Sequence, residues 1–269
     1  MVEKLLNEVY GSKYKIPLDF EMLTEHAPLY KAAIDEDIIF EITFNQNDQV
    51  LKSTKIKDMA YKLTNICLEY DTFTDQSIAS TIAQQYSSGY AFMYDKVDHL
   101  KTEKVTNNET DINQNINIPR RSVKGVLILF EKAFDTGTRE TEHFYNPKIK
   151  KVDITIEGIG AQLYDKGLKM MNQWEEAKKF FMSQKSKWGL PYYMNDKKFY
   201  HKGFGLWIDF RSTGDNSLHG SGTKIQNTKD GIQLCLKKKS GEGPYKMYIF
   251  VVSDAQINIA NCQLRAVQF

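Results

Sequence analysis

The sequence predicts a mainly β protein, an antiparallel sandwich or jelly roll with two helices in long connections. Three observations carry this. Short stretches in which every second residue is apolar recur along the chain, as half-buried strands require. Aromatic residues are plentiful, with 15 Tyr, 15 Phe and 3 Trp, while Gly and Pro are scattered. The strands also follow one another without the regular strand–helix–strand alternation of a parallel sheet.

In chain order, strands are expected at Ile38–Phe44, Tyr61–Glu69, Val123–Glu131, Val152–Ile156, Gly205–Phe210, Ile232–Leu236, Tyr245–Val252 and Ile257–Ala260. In "VDITIEG", Val152, Ile154 and Ile156 share one face, and Asp153, Thr155 and Glu157 share the other. In "GIQLCLKK", Ile232, Leu234 and Leu236 face inward, opposite Gln233, Cys235 and Lys237. "VLILF" and "YIFVV" are almost continuously apolar, which places them centrally with both faces covered. The inward set therefore includes Val152, Ile154, Ile156, Ile232, Leu234, Leu236, Ile249 and Val251.

Two stretches have helical spacing. Residues 75–86 place Ile78, Ile82 and Tyr86 on one face behind a cap at Thr74. Residues 165–184 line up Met170, Trp174, Ala177 and Phe181, with Lys169, Glu175, Glu176, Lys178 and Lys179 toward water. The polar run 99–117, rich in Asn and Thr, reads as a long exposed loop or a ragged hairpin.

Composition narrows the function. Thirty-six Lys plus Arg against 34 Asp plus Glu leave a charge of +2, so nucleic acid is not an expected direct partner. Three widely spaced cysteines suggest neither a disulfide framework nor a thiolate metal site. No stretch has the apolar length of a membrane span or the form of a signal peptide, and the expectation is a protein made in the cytosol or nucleus. The five histidines, His26, His99, His143, His201 and His219, lack paired metal-ligand spacing, so no metal or cofactor is expected.

"LHGSGTK" at 218–224 has the appearance of chemistry. A nucleophile elbow needs Gly-x-Ser-x-Gly between strand and helix, and a phosphate loop ends in Gly-Lys-Ser/Thr. Here Gly220-Ser221-Gly222 is followed by polar residues and another strand, so the stretch reads as a glycine-permitted bend. Asp209, Asp215, Asp230 and Asp254 read as turn residues that bond local backbone.

Several segments, in order, resemble the double jelly-roll major capsid proteins of Polinton/Maverick elements, adintoviruses and nucleocytoplasmic large DNA viruses. They are "YKIPLDFEMLTEHAPLYKAAIDEDIIFEITF", "KLTNICLEYDTFTDQSIASTIAQQY", "RRSVKGVLILFE", "FYNPKIKKVDITIEGIGAQLYDKGL", "FGLWIDFRSTGDNSLHGSGTKIQNTKDGIQLCL" and "MYIFVVSDAQINI". The resemblance implies that residues 1–50 correspond to the end of a first roll and 51–269 to a second. A fragment, a split-gene product and a single-roll derivative are all compatible with that. It further implies a non-enzymatic capsid subunit of the virion, partnered by itself as a trimer, by a separately encoded first roll, or by other capsid proteins.

Large aromatics in long connections are candidate interface anchors: Trp174, Trp188, Tyr192, Tyr193 and Tyr200. Their alternative role is to close the ends of the sandwich. The competing functions are a jelly-roll module that binds glycan or another ligand, and a serine hydrolase using Ser221 and His219.

Overall fold

The structure is a computed structural model, and it describes residues 34–35, 37–44, 61–70, 74–132, 144–183, 195–213, 219–226, 229–265 and 267–268. Two antiparallel sheets face each other. Sheet A contains β1 (Tyr90–Val105), β10 (Tyr245–Ala260), β3 (Arg120–Lys132) and β7 (Gly205–Asp209) in that order, with β8 (Thr223–Ile225) on β3 and β11 (Gln263–Leu264) on β10. Sheet B contains β2 (Asp111–Ile116), β9 (Ile232–Lys238), β4 (Ile149–Ile156) and β5 (Ile159–Gly160), with β6 (Leu168–Lys169) on β4. The long neighbouring strands are distant in sequence, and the chain crosses repeatedly between the sheets, from β1 to β2, β3, β4, then β7, β9 and β10. This is the connectivity of a jelly roll.

The alternation read from the sequence sets the core. Sheet A contributes Val126, Ile128 and Phe130 from β3, Leu206 and Ile208 from β7, and Met247, Ile249 and Val251 from β10. Sheet B answers with Ile112 and Ile116 from β2, Val152 and Ile154 from β4, and Ile232, Leu234 and Leu236 from β9. Ile156, expected among them, is half-buried and packs against this cluster. Each fully buried aliphatic side chain contributes about 1.5–3 kcal/mol relative to exposure.

The two near-continuous apolar runs occupy the two interior strands of sheet A, β3 and β10. Their outward residues Leu127, Leu129, Tyr248 and Phe250 are only half-buried. Tyr245–Val252 and Ile257–Ala260 are one strand, because the ladder with β1 continues through Ser253–Gln256. The run 99–117 is neither a loop nor a hairpin. It forms the end of β1, a short crossing and β2, in different sheets. Its polar character reflects the outer position of the two strands, which bury only Val105, Ile112, Gln114 and Ile116 within this run.

Three helices are described. In α1 (Gln76–Ser88), Asp75 rather than Thr74 is the cap, accepting from the Ser77 N–H at 2.8 Å. Its Ile82, Ala83 and Tyr86 meet Ile34, Phe92 and Ile259 in a second small core. In α2 (Met170–Ser183), the inward face is Gln173, Ala177 and Phe180, and Phe180 stacks on Trp207 of β7 at 4.6 Å. Met170 is exposed, so the apolar stripe lies about one position away from the expected one. A third helix, α3 (Asp196–Lys202), is capped by Asn195, which accepts from the Lys198 N–H at 2.9 Å. No helix among the described residues is long and apolar enough to cross a membrane.

Residues 38–44 and 61–69, expected as strands, pair into neither sheet, and their large apolar side chains are exposed. Alternation gives a segment a face to bury, but among the described residues no strand pairs with these two.

Replacing Ile154 by Asp would place a carboxylate in the apolar core between the sheets. The variant should fail to accumulate as soluble folded protein, checked by solubility and thermal melting. An unchanged melting temperature would refute the core assignment.

Candidate functional site

β7 and β8 lie end to end along the same edge of β3. β7 pairs with Gly125–Leu129, and β8 pairs with Arg120 and Val123. They are one edge strand interrupted by an excursion over residues 210–222. Its neck is pinched by hydrogen bonds from Ser212 N–H to the Ser221 carbonyl at 2.7 Å and from Thr223 Oγ1 to the Phe210 carbonyl at 2.9 Å. The motif 219–224 closes this excursion and re-enters the sheet. Its two glycines have separate reasons. Gly220 has φ of +81°, and a side chain on Gly222 would run into the Val123 backbone.

The excursion is held by one carboxylate. Asp254 lies inside β10, not in a turn, and its side chain is almost wholly buried. Its Oδ1 is 2.8 Å from His219 Nδ1 and 3.0 Å from Lys124 Nζ. Its Oδ2 accepts from the Gly220 N–H at 2.8 Å and from the Ser122 hydroxyl. Ser122 Oγ in turn accepts from the Gly222 N–H at 3.0 Å. Lys124, itself buried, reaches Asp95 Oδ1 at 2.5 Å. Groups from β1, β3 and β10 thus converge on the loop.

Burial opposes the ionised form of Asp254. Hydrogen bonds from His219, Ser122, the Gly220 N–H and Lys124 outweigh that cost and hold its carboxyl well below the usual range. Burial likewise disfavours the Lys124 ammonium, and Asp95 and Asp254 more than offset it, so its pKa is raised. Both groups are charged at neutral pH.

Asp95, His219 and Asp254 could offer metal-ligand atoms within 4.8 Å of one another. The Lys124 ammonium already supplies the cation there, bonded to both carboxylates. Among the described residues the two serines are engaged elsewhere than with His219. Ser122 donates to Asp254 rather than to His219, and Ser221 is buried with its carbonyl engaged by Ser212. The chemistry on view is that of a clasp. Asp209 belongs to the same region: it ends β7 and holds Arg211 through two side-chain bonds, at 2.8 and 2.7 Å. Tyr164 donates to Glu176 of α2 and accepts from the Asp209 N–H, tying the helix to the same edge. Asp215 lies outside the described residues, and Asp230 sits in a bend.

Of the aromatic candidates, Trp174 and Tyr200 are half-buried and pack against the main core. Trp174 meets Phe199 at 5.0 Å, Phe199 meets Tyr200 and Phe204, and the Tyr200 hydroxyl donates to the Met170 carbonyl at 2.6 Å. These contacts hold both rings against the core. Trp188, Tyr192 and Tyr193 lie outside the described residues. Sequence reasoning missed Lys124, Ser122 and Asp95 as partners of the motif. The one signal was a lysine and a serine flanking Val123 in an otherwise apolar strand.

Asp254→Asn leaves Lys124 and His219 without their shared anion and should cost about 3 kcal/mol at pH 7, as for a broken buried pair. A depressed carboxyl pKa contributes stability above the unfolded value of about 4 and loses it as pH falls through the folded one. The deficit, read by urea unfolding, should therefore shrink below about pH 4. A deficit independent of pH would contradict the clasp.

No protein-family model and no curated protein matches the chain. Among solved structures it is similar to VP54 of the virus PBCV-1, fitted into a reconstruction of the virophage Sputnik, with a TM-score of 0.48 and 10% identity over 73% of this chain and 55% of that one. The PBCV-1 virus capsid gives a TM-score of 0.48 and 8% identity over 73% and 55% of the two chains. The Sputnik virophage structure gives 0.39 and 12% over 67% and 38%. The chain spans about half the length of the first two, at 55% of each.

Proposed function

We propose that the chain is a non-enzymatic structural subunit of a viral or virus-derived capsid, assembling with copies of itself through side-by-side packing of rolls. The observation that carries this reading is the strand order, β1-β10-β3-β7 facing β2-β9-β4-β5, a full jelly roll. The polar cluster around Asp254 holds a loop, the carboxylate being saturated by four donors.

The two outer faces support a packing role for one of them. Sheet B presents Asp111, Asn113, Asn115, Gln233, Lys237, Lys151 and Asp153 to water. Sheet A presents Val97, Leu127, Leu129, Tyr248 and Phe250, apolar groups that a soluble sheet face seldom carries. In this reading residues 51–269 form the assembling roll and 1–50 the end of a neighbouring one. The trimer, the virion and production in the host cytosol or nucleus come with it. Trp174 and Tyr200 then shape the rim where rolls meet.

Sedimentation of the full chain over a wide concentration range tests this. Mass should rise toward a trimer as concentration rises, and Ser221→Ala and His219→Ala should assemble like the parent. A monomer throughout would overturn the reading.

A further inference from the structure

β1 is an edge strand of 16 residues, laddered to β10 on one side and, among the described residues, to no strand on the other. A free edge of that length is a template for another strand, and charged side chains commonly guard such edges by repelling a second copy. The charges here do the reverse. Between Tyr94 and Val105 the acidic and basic residues are Asp95, Lys96, Asp98, Lys101, Glu103 and Lys104. Laid antiparallel against itself about a two-fold axis between His99 and Leu100, the strand sets Lys96 opposite Glu103, Asp98 opposite Lys101 and Asp95 opposite Lys104, each pair occurring twice. A slip of one residue either way opposes Asp95 to Glu103 or Lys96 to Lys104 instead.

An irregularity in β1 decides whether these pairs can form. Directly opposed residues of two paired strands lie on the same face of the sheet. In an unbroken strand Lys96 and Glu103 would point to opposite faces, and so would Asp95 and Lys104. The ladder to β10 passes from His99 to Lys101 and skips Leu100, a bulge that resets the alternation. Lys96, Asp98, Lys101 and Glu103 therefore share the face of Ser253, Val251, Ile249 and Met247, while Asp95, Val97, Thr102 and Lys104 share the opposite one. The bulge falls at the axis, so both copies carry the extra residue at the same place and the register holds on either side of it.

The charges remain accessible at the edge. Lys96 meets Asp98 at 3.1 Å and Lys101 meets Glu103 at 3.0 Å along the strand, with side chains 20–39% exposed. Asp98 also reaches Arg120 at 3.0 Å, and Glu103 accepts from Gln114 at 2.6 Å. A second strand turns each neighbouring pair into a square of alternating sign. Lys104 is exposed, has no ion pair among the described residues and faces Lys246 across the ladder, a like-charge contact that an opposed Asp95 relieves. Val97, 58% exposed, is covered by the opposed Thr102.

We infer that β1 pairs antiparallel with β1 of a second copy of this chain, joining two A sheets edge to edge across a two-fold axis at His99 and Leu100. Backbone hydrogen bonds supply the affinity and the charges fix the register. A second copy is the occupant because the strand is complementary to itself in sign and in face. The contact is complete at two copies. It uses the edge of sheet A, and so is separate from the packing of outer faces proposed above.

Sedimentation velocity of full-length variants tests this, with thermal melting of dilute protein as the check on folding. Lys96→Glu and Glu103→Lys should each weaken the dimer by roughly tenfold, since each reversal strikes two symmetry-related pairs. Combined in one chain they should restore it to near the parent's. Lys104→Glu should also weaken it, yet leave melting no lower, because the repulsion with Lys246 is removed. The register is read by oxidising a variant with both Val97→Cys and Thr102→Cys. These positions are roughly 15 Å apart along one strand, so a 97–102 disulfide identified by mass spectrometry joins two copies. If the parent associates and the reversals leave it unchanged, the edge contact is refuted and the packing of outer faces stands. Weakening without rescue in the combined variant, or absence of the 97–102 link, refutes the register. A dimer that grows no further supports the edge contact and overturns the trimer, and a monomer at every concentration refutes both.

Discussion

The rest of the structure depends on the ladder of β10. This 16-residue strand is hydrogen-bonded to β1 on one side and to β3 on the other, so it holds sheet A together. Its inward residues Met247, Ile249 and Val251 form part of the floor on which sheet B packs. Past Val252 the register with β3 shifts, and beyond that shift the strand carries Ser253 and Asp254 in place of apolar side chains. The same strand thus supplies first the hydrophobic core and then the anion that fixes the loop.

That anion is an economical solution to a local conflict. An edge strand broken into β7 and β8 leaves a loop whose backbone donors at Gly220 and Gly222 need partners. Asp254 takes the first directly and the second through Ser122. A lone carboxylate so buried would be costly, and Lys124 offsets it from the neighbouring strand. The result ties β1, β3, β10 and the excursion into one unit. It also explains how a serine between glycines beside a histidine arises without chemistry: each glycine meets a steric demand, and the histidine points at the clasp.

The contrast between the two sheet faces bears on function. Asp153 sits between Lys151 and Lys237 on the outer face of sheet B, an arrangement suited to water. On sheet A, His99 lies against Phe250 at 5.0 Å, and Leu127 and Leu129 continue that surface toward β7. Helix α2 meets the β7 side of this surface, through Phe180 on Trp207. A roll with one wet face and one half-dry face has a direction in which to pack.

What the sequence by itself determined was the class of fold and much of its core. Period-two alternation marked β3, β4, β7, β9 and most of β10, and seven of the eight residues expected inside are buried there. Both longer helices were legible from spacing, although α1 is capped one residue later and the buried stripe of α2 is displaced. The motif at 218–224 was legible as a strand connection because its spacing failed both catalytic patterns. The tertiary structure decided the remainder. Strands β1 and β2 were hidden because outer strands bury few side chains, so their pattern is mostly polar. Residues 38–44 and 61–69 had the opposite fault: alternation shows that a segment can pair, but only the fold shows whether a sheet has room for it. Asp254 looked like a turn residue until β10 placed it beside Ser122 and Lys124, more than a hundred positions away in the chain. A buried charge is defined by the partners that surround it, and those are gathered only when distant strands pair.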